Sequence, residues 1–92
     1  MRKITKKTLE IRGIYRKYLV HYLIELDGAK ENSTPQLSFT GNGWTCTLSQ
    51  EEYFTFLQSQ VPIVNVTLQA GNSEILDEIV RKFRFKTIRA GG

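Results

Sequence analysis

"TLEIRGIYRKYLVHYLIELDG", residues Thr8 to Gly28, decides the fold class, because the hydrophobic spacing changes period inside it. In "TLEIR", Leu9 and Ile11 fall on one side, and Thr8, Glu10 and Arg12 on the other. Alternation of period two describes a strand with one buried face. Gly13 breaks the pattern. Beyond it Tyr15, Tyr18, Leu19, Tyr22, Leu23 and Leu26 recur at the three- and four-residue spacing of an amphipathic helix. Arg16, Lys17, His21 and Glu25 take the wet face of that helix, and Gly28 is placed to end it in a left-handed conformation. The chain therefore opens with a single strand and then a helix.

Downstream, "AKENSTP" (29–35) is polar, closes on proline and reads as a loop. "QLSFT" and "WTCTL" flank Gly41-Asn42-Gly43, residues that supply the positive φ angles of a hairpin turn. "SQEE" (49–52) makes a further turn, and "YFTFL" (53–57) is a strand with aromatic side chains on both faces. Pro62 marks the start of "IVNVTLQA", with Val64, Val66 and Leu68 inward, since a first residue needs no ladder donor. Gly71-Asn72-Ser73 ends that strand and caps a second helix. Its acids (Glu74, Asp77, Glu78) come early and its bases (Arg81, Lys82, Arg84) late, as the helix dipole favours. "FKTIRAGG" is expected to add a short last strand.

Two helices with one apolar stripe each cannot cover both faces of a sheet. The expected fold is α+β, a two-layer sandwich with both helices on one face of a mostly antiparallel four- to five-stranded sheet. The expected core is Leu9, Ile11, Tyr18, Leu19, Tyr22, Leu23, Phe39, Trp44, Cys46, Val64, Val66, Leu68, Leu76, Ile79, Val80 and Phe83. At 92 residues this is one domain, 1–92, with a basic arm at 1–7 and a mobile tail at 89–92. With one cysteine no internal disulfide can form, which points to a reducing compartment and a cytoplasmic location. No run approaches the 18 apolar residues of a membrane span, and "MRKITKK" leads into a charged strand rather than a signal-peptide core.

Charge is unevenly spread along the chain. Residues 1–17 carry seven bases against Glu10, and residues 81–92 carry five bases and no acid; residues 18–80 carry Lys30 against eight acids. If the ends meet, a basic edge forms from Arg12, Arg16, Lys17, Arg81, Lys82 and Arg84. Such an edge attracts anions or an acidic partner, with affinity that falls as salt rises. Basic residues that merely solvate the surface are the plainer reading.

Catalytic chemistry finds no foothold. His21 is the only histidine and sits on a wet helix face, where a metal site would need carboxylates alone. Cys46 alternates inward with Trp44 and Leu48, as an inert structural thiol would. The expectation is a protein that is not an enzyme and has no cofactor and no metal. Its partner is an unidentified protein. Nucleic acid is a less favoured partner, because the aromatic strand is led by Glu51 and Glu52 and the ribonucleoprotein sequence pattern is missing. The closing Gly91-Gly92 raises the runner-up reading, a ubiquitin-like carrier that reacts through its tail. Against it, the β-grasp fold opens with a hairpin, not a single strand.

"LEIRGIYRKYL", "GNGWTCTL", "VPIVNV" and the closing "IRAGG" together resemble a small domain of unassigned function. That domain is found at the C-terminus of some bacterial proteins related to the molybdopterin synthase small subunit. The resemblance runs over roughly residues 8–92. In such fusions a sulfur-carrying domain comes first; here the first strand opens soon after Met1, so the likeness is to the accessory part. It implies an α+β accessory domain connected with molybdenum-cofactor biosynthesis and carries over no catalytic residue.

Overall fold

The longest strand organises the molecule. In the computed structural model, which describes residues 5–31 and 37–91, β1 (Thr5–Arg12) pairs antiparallel with β6 (Ser59–Ala70), Leu9 opposite Val66 and Arg12 opposite Ile63. On the other edge of β6 lies β4 (Trp44–Leu48), Cys46 opposite Leu68. β3 (Leu37–Thr40) and the short β2 (Ala29–Glu31) extend the sheet outward, all antiparallel. The order is β1-β6-β4-β3-β2.

β5 (Glu52–Phe56) also pairs with β6, at Ile63 to Ser59. Ile63 is opposite Arg12 on one side and Glu52 on the other. β5 therefore shares an edge of β6 with β4 and continues its line, so six strands make a sheet five positions wide. Ser49 bridges the break. Its N–H donates to the Asn65 carbonyl at 3.0 Å, and its hydroxyl accepts the Asn65 N–H at 2.9 Å. The hydroxyl stands in for the backbone carbonyl that the interrupted ladder lacks.

Strand alternation sends Leu9, Phe39, Trp44, Cys46, Leu48, Val64, Val66 and Leu68 to one face, all buried. Two helices cover that face: α1 (Arg16–Glu25) contributes Leu19 and Leu23, and α2 (Ser73–Gly91) contributes Leu76, Ile79, Val80 and Phe83. These residues form one cluster. The other face is polar, with Thr8 and Thr67 hydroxyls 3.3 Å apart across the β1–β6 ladder. The architecture is the expected α+β one, two helices on one side of an open antiparallel sheet.

Helix ends follow local rules, with adjustments. Asn72 caps α2, its Oδ1 accepting the Ile75 N–H at 2.9 Å. α1 ends in a two-bond turn, Gly28 N–H to Leu23 O at 2.9 Å and Asp27 N–H to Ile24 O at 3.0 Å, the Schellman pattern. The left-handed residue there is Asp27 (φ 67°), not Gly28. Gly28 is needed for another reason: a Cβ would meet the Leu23 carbonyl oxygen at 2.8 Å and the Trp44 ring at 2.9 Å. Gly41 also lies against the Trp44 indole, with no room for a side chain.

Several expectations need correction. Tyr18 is not core but 48% exposed. The contact line of α1 is Leu19–Leu23, and Tyr18 lies about 100° around the helix from Leu19. Ile11 and Tyr22 are only partly buried, packed at the margin of the cluster. Residues 85–91 do not form a strand; they continue α2, since no helix breaker intervenes before the glycines. Residues 29–31, read as loop, pair with β3, because a short polar strand can finish a sheet edge that sequence periodicity does not reveal. Pro62 is inside β6 rather than at its start. Residues 5–7 lie in β1 and 89–91 in α2, while 1–4 and Gly92 are outside the described residues.

Candidate interaction surface

α2 also runs beside α1, joined to it by the Lys86–Glu25 ion pair. Between the two helices lies a groove of about 640 Å³ lined by Tyr22, Glu25, Leu26, Arg81, Lys82, Phe85 and Lys86. Tyr22, Leu26 and Phe85 make its apolar walls; Phe85 is 61% exposed. Phe85 lies off the buried stripe of α2, a signal available in the sequence and passed over.

Ion pairs organise the rim. Lys86 Nζ donates to Glu25 Oε1 at 3.0 Å, joining the two helices, and Lys82 Nζ reaches Glu78 Oε1 at 2.9 Å. The Lys86 hydrogen bond holds the Glu25 carboxyl below its ordinary range, and Lys82 does the same for Glu78. These pairs are exposed, so they set side-chain positions more than they add stability. His21 lies 3.8 Å from Glu25 on the same wet face.

The six cations of the proposed edge fall into separate settings. Arg81 and Lys82 line the interhelical groove. Arg84 is beside β1, in a shallow cleft with Lys7–Ile11, Thr87 and Ile88. Arg12 pairs with Glu10 and lays its guanidinium 5.2 Å from the Phe54 ring centroid. Arg16 and Lys17 lie at the start of α1 with Tyr15, Val20, Leu37 and Glu51; Lys17 Nζ is 5.2 Å from the Tyr18 ring and 5.9 Å from that of Tyr15. Of the carrier tail, Gly91 closes the last turn of α2 and Gly92 is outside the described residues.

Glu51 is a structural residue that sequence reasoning missed. Tyr15, at the N-cap of α1, offers no side-chain cap. Glu51 reaches in from the β4–β5 connection and accepts the Arg16 N–H at 2.6 Å, a carboxylate at the positive end of a helix. It also accepts the Tyr53 hydroxyl, which pushes that phenol's pKa up. The pairing spans 35 residues, beyond any local capping pattern.

Cys46 is buried, and burial pushes its thiol up to about 12. A thiol so rarely ionised is a poor nucleophile. Among the described residues no cluster of three histidine, cysteine or carboxylate side chains could hold a metal ion, and no helix is long and apolar enough to cross a membrane.

This small α+β domain, with its apolar groove rimmed by cations, matches a family model described as archaeal MoaD-like protein over residues 7–92. The chain belongs to that family, which ties it to molybdopterin-related proteins of the sulfur-carrier kind. Comparison with curated proteins and with solved structures finds no match.

Proposed function

We propose that this chain is a non-catalytic interaction domain serving the molybdopterin-related proteins of its family, and that it binds an acidic, apolar segment of a partner protein. The observation that carries this reading is the groove between α1 and α2. Its walls are Tyr22, Leu26 and Phe85, and Arg81, Lys82 and Lys86 stand at its rim, Lys86 paired with Glu25 and Lys82 with Glu78. Exposed aromatic and basic side chains around one concavity are the composition of a binding hot spot. An acidic partner would gain charge complementarity, while the apolar walls would hold its side chains.

Carrier action through Gly91-Gly92 is the second reading, and the family match running through Gly92 favours it. A carrier tail must enter another protein's site as an extended strand. The backbone of this chain stays helical through Gly91, so that reading requires the last turn of α2 to unwind.

Co-purification from the source cell separates the two. The interaction reading expects a non-covalent partner that survives deletion of Gly91-Gly92 and is lost with Phe85→Ala or Arg81→Glu. A partner held only by a covalent bond at Gly92, and indifferent to Phe85→Ala, refutes it.

A further inference from the structure

Among the described residues the sheet has one unprotected edge. Natural sheets guard their edges with charge, brevity or cover. β1 carries Lys6, Lys7, Glu10 and Arg12, and β2 is only three residues long. β5, "EYFTF", has one charged residue, Glu52, and among the described residues no strand pairs with its outer side. Tyr53 (52% exposed), Phe56 (58%) and Leu57 (83%) add apolar surface at the same place.

Hydrogen-bond parity says which backbone groups are on offer. Leu57 and Gln58 (φ 50° and 66°) form a two-residue turn, so Phe56 and Ser59 are a bonded pair. Bonded and non-bonded pairs alternate, which makes Phe54–Val61 bonded and leaves Tyr53–Pro62 and Thr55–Gln60 non-bonded. The Pro62 carbonyl agrees, since it turns toward β1 and accepts the Gly13 N–H at 2.9 Å. Tyr53 and Thr55 thus aim their N–H and C=O groups outward.

We propose that this edge pairs with the same edge of a second copy of the chain, antiparallel and two-fold symmetric about Phe54. Tyr53 then bonds with Thr55 of the other copy, and Thr55 with Tyr53, closing four backbone hydrogen bonds. Phe54 meets its own equivalent, and Glu52 lies opposite Phe56. Charge selects this arrangement over a parallel one, which would set the two copies of Glu52 side by side. The apolar side chains offer on the order of 400 Å² per copy, at ~200 Å² for a whole aromatic side chain. A standard stable interface takes about 800 Å² from each partner, so the dimer is a weak one that forms with rising concentration.

Sedimentation velocity of the whole chain, from about 10 μM to about 1 mM, tests the proposal in the range where weak complexes assemble. Wild type is expected to shift from monomer to dimer. Thr55→Pro removes an outward N–H and the hydroxyl that accepts from Gln60 Nε2, but no backbone hydrogen bond to β6, and is expected to weaken dimerisation at least about tenfold. A second pair of variants reads the register. Phe56→Glu places like charges against Glu52 of the other copy and should weaken the dimer; Phe56→Lys should strengthen it. Wild type that stays monomeric throughout overturns the proposal, as do a folded Thr55→Pro that dimerises normally and equal effects of Phe56→Glu and Phe56→Lys.

Discussion

One strand, β6, lives in two environments. Its C-terminal part runs between β1 and β4 beneath the helices, and there Val64, Val66 and Leu68 have no exposed surface. Its N-terminal part pairs with β5 in a hairpin that extends past the end of β1, where Ser59 and Gln60 are exposed and Val61 half-buried. The β5 partner is more aromatic than β4, yet it is the more exposed of the two. Apolar content therefore did not decide burial; the reach of the helices did. A strand side chain is buried only where a second layer lies on it.

The largest contrast should appear in thiol chemistry. With its pKa pushed up to about 12, against an ordinary value of about 8.5, Cys46 has a thiolate fraction at pH 8 roughly a thousandfold below that of a free thiol. Cys46 is expected to react with iodoacetamide at least that much more slowly than a cysteine introduced by Leu57→Cys in a Cys46→Ala background. Comparable rates would mean that the covered half opens as readily as the hairpin.

Truncation should divide the two regions next. Phe83→Ala, at a fully buried site, is expected to cost about 3–5 kcal/mol in urea unfolding. Leu57→Ala, at the hairpin tip, should stay within about 0.5 kcal/mol. The comparison fails if the two losses are alike.

Turn chemistry sharpens it from the other side. Leu57 and Gln58 hold positive φ angles that cost an ordinary L residue roughly 1–2 kcal/mol each. Replacing Leu57-Gln58 with Asn-Gly, residues suited to this turn, should stabilise the hairpin by about 1 kcal/mol or more. The readout is slower amide exchange across β5, and unchanged exchange would remove the strain argument.

The smallest effect belongs to the helix pair. Glu25 has a lowered pKa in the fold because of Lys86. Its stabilising share is present above the unfolded carboxyl pKa and is lost as pH falls through the lower folded value. Lys86→Ala should therefore lower Tm slightly at pH 7, and the difference from wild type should vanish in acid. A difference that persists undiminished at pH 2 would show that Lys86 acts by packing.

Much of this molecule was legible in the chain. The change of period at Gly13 set strand and helix, Asn72 announced the start of α2, and alternation fixed which side of β4 and β6 faces the core. These are local facts, carried by neighbours within a turn or a pleat. The basic edge read from charge counts was less legible, because a one-dimensional count does not say which ends meet. The structure puts Arg81 and Lys82 in the groove, Arg84 by β1, and Arg12 over Phe54.

Sequence by itself determined the types of β1, α1, β3, β4, β6 and the start of α2, the α+β class and the inward set of the central strands, since propensity and periodicity act over a few residues. Tertiary structure alone decided the rest. It extended β6 back through Pro62, whose missing N–H takes nothing from the β5 ladder because Tyr53–Pro62 is a non-bonded pair. It made Glu51 the cap of α1 from 35 residues away, and it brought the Trp44 ring against two glycines that local reading had assigned to a helix end and a hairpin turn. It also left β5 outside the helical layer. Each of these is a pairing between segments distant in the chain, whose energy depends on which surfaces meet, and no local pattern encodes that.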